Sequence, residues 1–290
     1  MSVFKYSEDR LPVAVAVGLT CIDLGAYLLL DNLWLLLGYW MLMVIPKGIL
    51  CAWNHHHQHV MTFRWAWLNR LLELSYALHT GMGTHVWLLH HVLGHHQHFL
   101  DQSRDESRWK RADGHQMGMF RYMLEVAFTA YPRAFRVGQA HPRHQRTFVI
   151  FAGLTFCLVG ALVWAKPLAA LFVVVLPMIT SLLYTAWVTY DHHAGLDTDD
   201  QFHASYNIMN RWYNRLTGNL GYHTAHHHRQ GVHWSRLPEL HARIAERIPA
   251  HLYRASTFDR VLPDPAVPQP APEPQPVRSA APIGSMHASQ

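Results

Sequence analysis

The sequence predicts an all-α membrane protein: four transmembrane helices in two hairpins, with a helical cap that carries histidine clusters on the cytoplasmic side. Three observations predict it. Four stretches are apolar over 18 residues or more, and two of the four clusters in a 25-histidine chain begin just beyond such a stretch. Charged residues make up only 15% of the 290 positions, against about 25% in an ordinary soluble domain.

The first span is Leu11–Leu30, interrupted only by Asp23, and the second is Leu33–Leu50, with Lys47 near its end. The third (147–165) and the fourth (168–188) contain no charged residue. At 1.5 Å per residue each covers roughly 27–32 Å, the thickness of a hydrocarbon core. Asp31-Asn32 and Lys166-Pro167 are the only residues between the members of each pair, so each pair forms an antiparallel hairpin. A cleaved signal peptide does not fit, because Glu8 and Asp9 precede the first span and a second follows at once. Asp23 is expected beside a polar partner, as an ionisable group inside a membrane requires.

Eleven Lys and Arg lie in segment 51–146, nine in 189–290, and Lys5 and Arg10 precede the first span. The two turns share one, Lys166. The positive-inside rule then places both termini, both long segments and every histidine cluster in the cytoplasm. Leu68–Leu93 is apolar but broken by Arg70, Glu73 and histidines, so it is expected to lie at or dip into the interface. Residues 1–260 are read as one membrane domain. Residues 261–290 hold half of the 16 prolines and are read as a disordered Pro/Ala-rich tail. Cys21, Cys51 and Cys157 form no C-x-x-C pair, which excludes a zinc ribbon or disulfide scaffold; their apolar neighbours predict three packed thiols. The net charge of +5 is not gathered into any nucleic-acid motif, so no nucleic-acid partner is expected.

Four histidine clusters remain: 54–59, 90–96, 190–195 and 222–227. On a helix, residues four apart share a face, which aims His55 with His59, and His91 with His95, at one place each. His223 with His226, three apart, does the same. Adjacent histidines splay by about 100°. They therefore serve two ions, or one ion and its surroundings, and such a mixture suits a two-metal site with ions roughly 3.5–4 Å apart. Imidazole suits Zn, Cu, Fe and Ni.

The pattern resembles the integral-membrane fatty acid desaturase superfamily, which includes membrane alkane and acyl hydroxylases. Its three boxes are read here as His55…His59, His91…His95-His96 and His223…His226-His227, the last followed by Leu237-Pro238. The run Thr189-Tyr190-Asp191-His192-His193-Ala194-Gly195 resembles the extra-histidine motif of alkane hydroxylases and puts the ligand at His193; it departs from that motif at Thr189 and His192. The resemblance covers about residues 11–251. It implies a non-haem di-iron centre held by His55, His59, His91, His95, His96, His193, His223, His226 and His227, with O2 as co-substrate. His192, Asp191, Asp101, Asp105 and Glu106 are the expected partners for outer ring nitrogens, or loop carboxylates paired with Arg104, Arg108 or Lys110. His56, His57, His90 and His228 are read as spare cluster members, with His79, His85 and His98 weaker still. Trp187, Tyr190, Trp212, Tyr213 and Trp234 are expected along an acyl tunnel or at headgroup level.

The implied activity is hydrogen abstraction from a fatty acyl chain. The leading outcome is desaturation to a double or triple bond; hydroxylation and oxidative decarboxylation to a terminal alkene use the same site. A membrane transporter of divalent metals is the reading from another class, although it would place histidines at the midplane of the spans. The acyl substrate is free, CoA-linked, carrier-linked or in a lipid. Electrons come from a separate donor such as ferredoxin and its reductase, steered by basic residues at 104–111 or 133–146. A bacterial inner membrane is the expected location.

Overall fold

The computed structural model describes residues 2–256, 259 and 261–264. The described residues are mostly helical and contain no strand. Helix α1 (Arg10–Leu29) and α2 (Leu33–His59) form the first hairpin. The Asn32 side chain caps α2 by accepting from the backbone N–H of Trp34 and Leu35. Then come α3 (Ala66–Thr80), a π-helical segment (Leu88–His95) and α4 (Met119–Gly138). The second hairpin joins α5 (Pro142–Ala165) to one long helix, Pro167–His193. That helix consists of α6 (Pro167–Ala170), a π-helical stretch (Leu171–Val175) and α7 (Leu176–His193). Three short helices close the chain: α8 (Arg211–Thr217), α9 (His223–His228) and α10 (Leu237–Ile244).

Among the described residues, four helices are long and apolar enough to cross a membrane, in the places the sequence predicts. Large apolar side chains face outward along them: Leu29 is 80% exposed, Trp34 74%, Ile45 69%. In water such a surface would be a liability; in hydrocarbon it is the ordinary outer face. The seam buries Ala26 and Tyr27 of α1 and Leu36 of α2 with Ala169, Ala170 and Val173, and the alanines let the backbones approach. The two turns meet, because Lys166 Nζ lies 2.9 Å from Asp31 and 3.0 Å from the Leu28 carbonyl. All four span ends on that side are therefore gathered together, opposite the histidines.

Two spans run further than hydropathy shows. The first box continues α2 to His59 and the third cluster continues α7 to His193. Polarity ends an apolar stretch, but nothing in residues 51–59 or 189–193 breaks a helix. The thiol expectation is corrected: Cys51 is buried, whereas Cys21 and Cys157 are exposed on outward faces of their spans.

Asp23 has its polar partners. Lys47 Nζ lies 2.7 Å from it and His79 Nδ1 3.1 Å, and the Tyr39 hydroxyl donates to it. Lys47 also donates to the Val173 carbonyl at 2.9 Å. The carboxylate thus ties α1, α2, α3 and the fourth span. Helix α3 packs into the bundle, with Tyr76 and His79 each 1% exposed. At the far end, Arg211 N–H donates to Asp264 at 2.9 Å and Asn210 donates to the Leu262 carbonyl at 2.9 Å. The rest of the expected tail, 265–290, lies outside the described residues.

Candidate metal centre

The sequence spaces histidines in pairs, and the fold sorts them into two groups. His55 and His59, one turn apart on α2, lie with His91, His96 and His226; a nitrogen from each falls within 4.8 Å of the others. His95, His193 and His227 form the second group by the same measure. His223 joins it through His193, their Nε2 atoms 2.9 Å apart. The groups adjoin, for the rings of His96 and His227 stack at 4.1 Å. All nine predicted histidines are thereby brought together from four separate segments.

Two expected pairings are corrected. His91 shares its group with His96 rather than His95. The backbone is π-helical there, and His96 N–H donates to the His91 carbonyl at 2.8 Å, a five-residue hydrogen bond. The wider turn stacks residues five apart, so the Nε2 atoms of His91 and His96 meet at 2.9 Å, while His95 turns to His193 at 3.3 Å. π-Helical turns are rare and concentrate at functional sites. His223 and His226 also part, His226 reaching His55 at 2.8 Å. The adjacent pairs His95-His96 and His226-His227 each give one ring to each group.

The donor set suits metal ions. Nitrogen separations near 3 Å are those of two ligands each about 2.1 Å from one ion. Burial first, and neighbouring imidazoles second, hold His91, His96 and His227 well below the ordinary imidazole pKa. The same causes act on His223 and His226. These rings are neutral at physiological pH, the form that binds metal. Among the described residues, buried ring nitrogens of His91, His96, His223 and His227 have no hydrogen-bond partner, a cost that protein interiors rarely accept. Where outer nitrogens are held, the holder is close: Asp105 on His95 Nδ1 at 2.8 Å and the Ala204 carbonyl on His193 Nδ1 at 2.9 Å. Both contacts aim Nε2 inward.

A family model for fatty acid desaturases matches residues 32–258, from the start of α2 to beyond α10. The chain belongs to the fatty acid desaturase family. No curated protein and no solved structure matches it significantly.

In this desaturase-family chain the other expected partners go elsewhere. Asp101 is corrected: it sits on an exposed loop and accepts from the backbone N–H and hydroxyl of Ser103. Asp191 is corrected as well, because it pairs with Arg254. Glu106 pairs with Arg136 rather than Arg104, Arg108 or Lys110. His192 stacks on His223 at 4.0 Å and bonds the Tyr206 carbonyl and the Tyr213 hydroxyl. Of the spare histidines, His56 contacts the Thr217 carbonyl, His57 lies between Thr62 and Glu73, and His228 contacts Gln201. His90 is buried next to the site, His79 joins Asp23, His85 the His144 carbonyl, and His98 Arg104.

An apolar cavity opens beside the imidazoles, touching His55, His91, His193 and His223 and walled by Cys51 and Val188. Tyr213 lines this cavity, and Trp187 lines a neighbouring groove. Tyr190 instead donates to the Met117 carbonyl, Trp234 donates to Asp9, and Trp212 lies beneath Arg211. Sequence reading missed the Ala204 carbonyl, because a backbone contact leaves no trace in residue type. Asp105 was within reach, ten residues after His95.

Proposed function

We propose that the protein is an O2-dependent fatty acyl desaturase whose nine histidines hold two iron ions. One observation carries the proposal: two groups of closely spaced imidazoles adjoin at the end of an apolar cavity. His55, His59, His91, His96 and His226 would hold one ion, and His95, His193, His223 and His227 the other. Iron so held supplies the activation of O2 that removal of hydrogen from an unactivated carbon needs. The overall change is R–CH2–CH2–R′ + O2 + 2 electrons + 2 protons → R–CH=CH–R′ + 2 H2O. Electrons come from a separate reduced protein.

The chain's own residues do the remaining work. Asp105 and the Ala204 carbonyl fix the tautomers of His95 and His193. Cys51, Val188 and Leu220 give the cavity an apolar wall against which an acyl chain would lay its methylenes beside the imidazole face. Cover from α9 keeps bulk water away, with His223, His226 and His227 all buried. A histidine-bearing face turned to the cytoplasm, with both termini there, accords with the Lys and Arg distribution. Basic residues at 104–111 and 133–146 would steer an acidic donor to that face.

The test is expression of the full chain with measurement of bound iron, O2 uptake and products by mass spectrometry. A product two hydrogens lighter than the fed acyl chain supports desaturation. A product one oxygen heavier assigns hydroxylation, and a terminal alkene one carbon shorter assigns decarboxylation. Zinc without O2 uptake would overturn the oxidase.

A further inference from the structure

A second apolar space lies beside the first. A groove runs between α2 and α7 under α8, lined by Val44, Ile45 and Ile49 on one side and by Trp187, Val188 and Leu216 on the other. Its mouth is on the outer face of a membrane-spanning helix, where Ile45 is 69% exposed. Ile45 precedes His55 by ten residues on the same helix, which puts the mouth about 15 Å back toward the bilayer. The groove therefore opens onto lipid.

Tyr184, Val188 and Tyr213 line both the groove and the cavity that reaches the imidazoles. These three side chains are the partition between them. The Tyr184 ring lies across Gly48, where an added Cβ would stand 3.3 Å from it. Glycine thus leaves the ring a flat seat on α2, with no side chain wedged behind it. On the cap side, by contrast, the large cleft is lined by charged and polar residues, Arg104, Arg108 and Arg136 among them. It shares no lining residue with the cavity at the imidazoles. An acyl chain using the groove meets a mostly apolar lining, Asp191 and Ser256 apart, whereas one arriving through the cap must cross water and charge.

We propose that the acyl chain enters sideways from the lipid leaflet, between α2 and α7 and past Tyr184, and so belongs to a lipid dissolved in the bilayer rather than to a soluble carrier. This rests on the reading of the imidazole cavity as the place where an acyl chain reacts. Val188 then controls the width of the passage, and Ile45 controls its mouth.

The test uses the full-length protein in phosphatidylethanolamine–phosphatidylglycerol vesicles that contain a long-chain fatty acid with a terminal diazirine. After irradiation, adducts are mapped by mass spectrometry. Adducts on the peptides carrying Val44–Ile49 and Trp187-Val188 are expected, in metal-free as well as iron-loaded protein. Val188→Trp should remove adducts from the cavity lining and lower turnover of lipid-dissolved substrate about tenfold or more at unchanged iron content. Ile45→Trp, on an exposed position that disturbs no packing, should lower it at the mouth. Adducts confined to the cap cleft around Arg104–Arg111, or wild-type turnover in both variants, would overturn the portal. Labelling needs no turnover, so a labelled groove in a protein that consumes no O2 supports the portal while sinking the oxidase.

Discussion

Asp105 holds Nδ1 of His95 at 2.8 Å, and the same oxygen accepts the backbone N–H of Ser107 at 2.7 Å. The carboxylate is pinned by its own loop and in turn points His95 Nε2 at His193. Asp105→Asn should therefore weaken metal binding in the second group by about tenfold to a hundredfold. Iron content per protein, titrated against a chelator, checks this. An unchanged affinity would reduce Asp105 to a loop residue.

Two neighbouring histidines separate the site from its surroundings. His226→Ala removes a ring from the first group, 2.8 Å from His55, and should abolish turnover with membrane insertion intact. His228→Ala breaks the contact to Gln201 and a ring contact with Phe202, neither of them in the two groups, and should leave product yield at the wild-type level. Product analysis on membranes of equal protein content distinguishes them.

Gly221 sits where the chain turns from α8 into α9. A Cβ there would stand 2.0 Å from the Ile208 carbonyl oxygen and 2.6 Å from Asn214. Backbone cannot yield as a flexible side chain does, so Gly221→Ala should cost about 3 kcal/mol or more and displace the α9 histidines. Thermal unfolding in detergent, together with iron content, measures both effects.

The ion pair inside the bundle predicts non-additivity. Lys47→Met leaves Asp23 buried without its cation and should destabilise by about 3–5 kcal/mol. Adding Asp23→Asn should recover part of that loss, because the orphaned charge is then gone. A double-mutant cycle on unfolding free energy in detergent decides it; strict additivity would mean that the pair contributes no coupling.

Acid should destabilise the metal-free protein. Burial holds His91, His96, His223, His226 and His227 neutral, with pKa values well below the ordinary one. Below about pH 6.5 the unfolded chain takes up protons that the folded chain refuses. The stability present above that pH is lost as pH falls toward the folded values. The melting temperature of chelator-treated protein should fall steadily between neutrality and about pH 5; a flat profile would count against burial of these rings.

The spans, their pairing and the histidine-bearing regions were legible because each is a local property. Hydropathy marks a helix that must sit in lipid, and a two-residue link forces a hairpin. Helix ends were less legible: α2 and α7 run on into polar sequence, where hydropathy is silent but the backbone is not interrupted. The exposure of Cys21 and Cys157 was also hidden, since an apolar neighbourhood looks the same whether the thiol faces protein or lipid.

By itself the sequence determined an all-helical membrane protein with imidazoles concentrated at one end of its spans. Only the tertiary structure decided which imidazoles meet. His91 meets His96 because the backbone there is π-helical, and Asp105 rather than Asp101 or Asp191 reaches a ring because of where one loop folds back. Residue spacing fixes faces only when the helix type is known. Contacts between distant segments depend on how whole helices pack, and no local pattern carries that information.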